Sequence, residues 1–309
     1  MTIKERILNK ERSWTDILPL VYIQAYLWMQ LGGLFSTVAK VDKWAFLFTS
    51  DAAVAEFIGG YLFSLGFCLS FILAVIIFKK NRPMLNSFKK NILAGAGLGL
   101  AAGFVLNASV IACAVATGSL AFSSDGIKLL PLVGSFIVIL LQSGGEELIC
   151  RMYIMGKLRR RYRSPWVAVI GNSLFFTIFH LGNPGITAAS VLNILLAGIL
   201  FSLVVLRFEN MWAAIAMHTA WNFTQTIIFG LPNSGLPSVF SILSPARSVD
   251  SFFYDTGFGI EGSWAAVIVL CLAIAAVVLS MSITNTPERY EQNTFAKRPP
   301  QGQSPEDPS

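Results

Sequence analysis

The sequence predicts an all-α fold: a polytopic membrane bundle of about eight transmembrane helices, with both termini in the cytoplasm. Three observations lead there. Of the 309 residues, 54% are hydrophobic and 13% charged, against roughly 25% charged in soluble domains. The apolar runs are continuous, without strict alternation, as helices in lipid require. The basic residues collect in alternate loops. A soluble globular protein is excluded, and 24 Phe with 7 Trp exclude a disordered chain.

Residues 1–15 form a basic cytoplasmic N-terminus carrying Lys4, Arg6, Lys10 and Arg12. No short cleavable apolar region precedes the first span, which is expected to be a retained helix. The expected spans are 16–38, 54–78, 92–117, 129–156, 165–181, 187–206, 211–230 and 262–284. Gly95, Gly99 and Gly103 put small residues on one face of the third, where a neighbouring helix can approach closely. Between the seventh and eighth spans, 231–261 is a long external loop with Pro232, Pro237, Pro245, Asp250, Asp255 and Glu261, placed to cap the bundle. The Pro-, Gln- and Ser-rich tail 285–309 is expected to be disordered and cytoplasmic.

Charge tests the count. Eighteen Lys and Arg fall in the N-terminus, the second, fourth and sixth loops and the tail; Lys40, Lys43, Lys128 and Arg247 lie on the other side. Arg151 alone sits within a span. Seven or nine spans would scramble this split. The net charge of +6 therefore sets topology, and no nucleic-acid partner is expected. Cys68, Cys113, Cys150 and Cys271 lie in apolar segments without paired spacing and read as buried thiols.

Ionisable groups inside a span are expensive, so each marks a functional site by default. Glu147 and Arg151 are four residues apart on the fourth span, where an intrahelical ion pair can form. Glu146 lies about 100° around the helix from Glu147, off the ion-paired face. Both histidines of the chain also fall within apolar helices, His180 on the fifth and His218 on the seventh, and His218 shares a face with Asn222. A Glu and a His can hold and deprotonate a water, while a His N–H and an Asn amide can donate to a developing oxyanion. That inventory suits amide hydrolysis without a covalent nucleophile. Zinc at Glu146, His180 and His218 is the lesser alternative; there is no HExxH, but ligands from separate helices would serve. Ser143 and Ser173 are close, but no GxSxG accompanies them. No cofactor is expected.

Depth along the helices gives a partial check. At about 1.5 Å per residue, Glu146 lies about 16 Å from Lys157 and His218 about 12 Å from Asn210, a buried site nearer the cytoplasm. His180, about 25 Å from Arg163, is too far unless the basic run continues as helix or the fifth span tilts strongly.

Glu146-Glu147-xxx-Arg151, Phe176-xxx-His180 and His218-xxx-Asn222, in this order on successive membrane helices, resemble the three motifs of the CAAX protease and bacteriocin-processing (CPBP) family of intramembrane glutamic endopeptidases. That family includes the eukaryotic type II CAAX prenyl endopeptidases. The resemblance covers 129–230, a protease-like core within the bundle 16–284, and has Asn222 where the family alternates with Asp. It implies that Glu146 and His180 activate the water, His218 and Asn222 form the oxyanion hole, and Glu147 and Arg151 support the site. The implied partners are the bilayer and a peptide or membrane-anchored protein substrate, and the expected location is a bacterial plasma membrane. Two other readings use the same residues: a non-catalytic membrane scaffold or bacteriocin-immunity-type protein, and a transporter or proton relay, for which no inverted repeat is visible.

Overall fold

The structure, a computed structural model, describes residues 8–9, 12–124 and 126–284, without the side chains of 282–284. Lys4, Arg6, Lys10 and the tail 285–309 lie outside the described residues.

Helices occupy each of the eight apolar stretches. The first, α1 (Leu18–Val38), follows a 3₁₀ turn at Trp14–Asp16. The second stretch is a pair, α2 (Ala52–Leu62) and α3 (Ser64–Ile77), opened by Asp51, whose carboxylate accepts from the Ala53 and Val54 N–H groups. Next come α4 (Ile92–Ala116) and a short strand, β1 (Leu120–Ser124). Helix α5 (Leu129–Glu147) continues without a break through a wider π turn, Leu148–Ile154, into α6 (Met155–Arg161). The chain then forms α7 (Pro165–His180), α8 (Ala188–Phe208) and α9 (Met211–Phe223), the last followed by a second π turn at Thr224–Ile228. Strand β2 (Leu243–Ser248) and α10 (Trp264–Thr284) complete it.

Among the described residues, five stretches are long and apolar enough to cross a membrane: 52–77, 92–116, 129–161, 188–208 and 264–281. The other three depart for identifiable reasons. Gln24 and Gln30 dilute the hydropathy of α1, and α7 has only 16 residues. Helix α9 has 13 residues and is buried over nearly its whole length. Enclosed by α4, α5 and α8, it is shielded from the surrounding solvent and need not match a bilayer in length.

The glycine stripe explains how closely α9 is held. Gly95, Gly99 and Gly103 face Asn210, Ala216 and Met217, and a Cβ at Gly99 would fall 2.8 Å from that of Ala216. Small residues here let the two backbones touch.

The two ends of the bundle differ. At one, Lys90 pairs with Glu209 at 3.1 Å, Arg160 donates to the Lys80 carbonyl at 2.6 Å, the Asn9 N–H donates to the Arg161 carbonyl at 2.8 Å, and Arg207 donates to Ser280 at 3.0 Å. All the basic segments that are described meet there. Beneath them, Asp16 accepts from Lys157 at 3.1 Å and from Arg160 at 2.6 and 2.8 Å, while Lys157 also donates to Gln24 at 2.9 Å.

At the other end β1 pairs antiparallel with β2, Leu120 opposite Ser248 and Ser124 opposite Leu243. The all-α expectation missed this pair because both strands are short and lie in loops. The cap expected of 231–261 is formed: Asn183 donates to the Ser234 carbonyl at 2.9 Å, and Ser119 to Ser251 at 2.8 Å. The thiols need one correction. Cys68 and Cys150 are buried, but Cys113 and Cys271 are exposed on outward helix faces, where an apolar medium accepts a thiol as readily as a core does.

Candidate active site

The last turn of α5 sets the site. Gln142 and Glu146 are one turn apart, and the Gln142 amide N–H donates to Glu146 Oε1 at 2.5 Å. Gln142 Oε1 in turn accepts from Asn222 Nδ2 at 3.2 Å, which ties α5 to α9. Glu146 Oε2 has no hydrogen-bond partner among the described residues and lies 3.7 Å from His218 Nε2.

Glu147, fully buried, faces elsewhere. Its Oε1 accepts from Arg151 at 2.9 Å, the spacing expected along one helical face. The same oxygen lies 3.0 Å from His218 Nδ1. A carboxylate can only accept, so with Glu147 ionised Nδ1 carries the hydrogen and Nε2 is turned toward Glu146. Arg151 also donates to the Gly198 carbonyl at 3.0 Å, and its guanidinium sits over the rings of Phe176 and Phe201, 4.8 and 5.3 Å from their centroids. Burial of the cation is thus offset by a carboxylate, a carbonyl and two aromatic faces on three helices.

His180 ends α7. Its Nδ1 lies 2.7 Å from the Phe176 carbonyl, so Nδ1 is the donor and Nε2 of the neutral ring is the acceptor. The ring packs against Phe176, which also meets His218. Of the two ways to reconcile the depths, the helical course of the basic run is present in part: Lys157–Arg161 belongs to α6.

Glu146, His180, His218 and Asn222 all line one cavity of about 810 Å³. Ser143 and Ser173 do not: Ser143 donates to Gln142 and Ser173 to the Val169 carbonyl.

Three further residues belong to this cavity and escaped the sequence reading. Gln142 had a signal, a polar residue one turn before Glu146 in an apolar helix. Asn193 on α8 is 1% exposed, lines the cavity and has an amide nitrogen without a partner among the described residues. In the sequence it is one polar residue in an apolar helix. Glu261 closes the capped end, accepting from Trp221 at 3.0 Å and from the Ser234 N–H and hydroxyl at 2.6 and 3.0 Å. Only the fold brings this loop acid beside α9.

Among the described residues, no three of His, Cys, Asp and Glu are grouped as metal ligands would be. The set holds one carboxylate oxygen without a bond, one imidazole acceptor and two amide donors around a common space. Acid–base and donor groups around one cavity of a helical, apolar bundle form a set chemically suited to hydrolysis. Residues 128–224 match the family of type II CAAX prenyl endopeptidases described as Rce1-like, and this match, which spans all three motifs, supports the resemblance to the CPBP family over that part of the chain. That is a family of membrane proteases. No curated protein and no solved structure matches the chain.

Proposed function

We propose that the chain is an intramembrane endopeptidase, crossing the bilayer of a bacterial plasma membrane eight times with its basic end in the cytoplasm, and that it cleaves a peptide bond near the membrane by direct attack of water. The observation that carries this reading is the convergence of Glu146, His180, His218 and Asn222 on one cavity.

Glu146 accepts a proton from the water through Oε2, the oxygen that Gln142 leaves unused. His180 orients the water from Nε2, because Nδ1 is committed to the Phe176 carbonyl. Oxygen attacks the carbonyl carbon, and the oxyanion is met by the second N–H of Asn222 Nδ2 and by His218 Nε2 when that nitrogen carries a proton. Collapse breaks the C–N bond, and Glu146 returns the proton to the leaving amine. Glu147 and Arg151 hold His218 in place, and the reaction needs no dissociable metal or organic cofactor.

Glu146→Ala and His180→Ala, purified in detergent, are expected to lose cleavage of a peptide substrate while keeping the helical content and elution volume of the wild type. Full activity in either variant would sink the mechanism. The scaffold reading has one observation in its favour: the Glu147–Arg151–Gly198 network joins helices whether or not chemistry follows. It predicts that cells lacking the protein are rescued as well by Glu146→Ala as by wild type.

A further inference from the structure

The direction of access to the cavity narrows the substrate class. Resting on the orientation and activity proposed above, we infer that the active-site cavity is reached from the non-cytoplasmic face, and that its substrate is an extended polypeptide segment presented on that face, membrane-anchored or secreted.

The floor of the cavity is shut. Between Glu146 and the basic end, Met152, Tyr153, Ile154, Met155 and Leu158 are each at most 2% exposed. Below them the Asp16, Lys157 and Arg160 network ties the N-terminal turn to α6. No residue of the basic segments 79–91, 157–163 or 207–210 lines the cavity. A peptide arriving from that side would have to break both layers.

The opposite end is open. Glu56 in α2, Asn183 after α7, and Ser234, Leu236 and Pro237 in the cap all line the cavity. Glu56 is exposed, and Leu236 is 50% exposed. These positions belong to the end of the bundle that holds the β1–β2 pair and few basic residues. Since basic loops stay in the cytoplasm, the open end faces away from it. The depth expectation, a site nearer the cytoplasm, measured distance along helices; the path to solvent runs the other way. The rim also matches the substrate class in chemistry, with the apolar Phe57, Phe179 and Leu236 for side chains of an extended strand.

Two measurements test this. Glu56→Cys and Leu236→Cys are labelled on intact cells with a membrane-impermeant maleimide, beside Lys89→Cys at the basic end, and the unsubstituted chain supplies the background from its own thiols. The expected result is label on the two rim cysteines and none on Lys89→Cys until the cells are permeabilised; the reverse pattern overturns the inference. In parallel, a single-span reporter carries one peptide segment either outside or inside the membrane. Cleavage of the outside form alone, lost with Glu146→Ala, supports the inference, and cleavage of the inside form alone overturns it. If neither is cut while the labelling is sided as expected, the access assignment stands and the protease reading fails.

Discussion

Two ionic clusters sit on the same continuous helix, 129–161, and differ in how far they are satisfied. Around Asp16 both carboxylate oxygens accept from cations, and Lys157 and Arg160 reach on to Gln24, Asn81 and the Lys80 carbonyl. Around Glu146 and Glu147, one oxygen of each carboxylate and Nε of Arg151 have no partner among the described residues. Burial is deep in both, with Asp16 and Glu147 each at 0% exposed. Burying a polar group without a partner costs about 1–3 kcal/mol. A fully paired cluster stabilises a fold, while one left partly unpaired beside a cavity holds its donors and acceptors ready for something that arrives. The presence of buried charge therefore says little about function; the unspent bonding capacity says more.

The sharpest break between the two clusters is expected from the acids themselves. Glu146→Gln keeps the size and the Gln142 contact but removes the base, so cleavage should fall by at least about 10²-fold, the low end for general base catalysis, with thermal stability held. Asp16→Ala should do the opposite. Leaving Lys157 and Arg160 without their counter-ion should lower stability by about 3 kcal/mol, read as a drop in Tm, while activity per folded molecule survives. Equal effects of the two variants on Tm would dissolve the distinction.

Gln142→Leu probes the link between the base and Asn222. Loosening both groups should reduce kcat by about tenfold to a hundredfold, the cost of slight misplacement. Asn193→Leu is milder and more diagnostic: an amide without a partner is lost at little cost, so Tm should hold or rise, while KM should increase about fivefold if that N–H binds substrate. The smallest expected effect is that of a chelator. Exhaustive dialysis against a strong metal chelator should leave cleavage unchanged, and loss of activity restored by zinc would reinstate the Glu146, His180 and His218 ligand set.

Much of this contrast was legible before the fold. The Glu147–Arg151 spacing, the shared face of His218 and Asn222 and the glycine stripe all follow from helical periodicity, and each has its contact in the structure. What periodicity does not report is which faces meet. Gln142 and Asn193 read alike in sequence, polar residues in apolar helices, yet one is bonded at both ends and the other has an amide nitrogen without a partner among the described residues. Glu261 was legible as a loop acid and nothing more, since its partner Trp221 is 40 residues away. The three helices short of the membrane criterion show the same limit: α9 is defined by the protein that surrounds it.

Both π turns border the site: Leu148–Ile154 follows Glu147 and carries Arg151, and Thr224–Ile228 begins two residues past Asn222. A helix wound wider accommodates an inserted residue without unwinding, and such insertions recur at functional positions. Relative to a plain α-helix, each inserted residue turns everything beyond it by about 100°. A relative whose helix lacks the insertion would keep Glu146 and Glu147, or His218 and Asn222, before the turn and present a different face after it. Evolution could then reshape the basic end beyond the first turn, and the cap beyond the second, by single-residue insertions and deletions while the residues before each turn stayed in register.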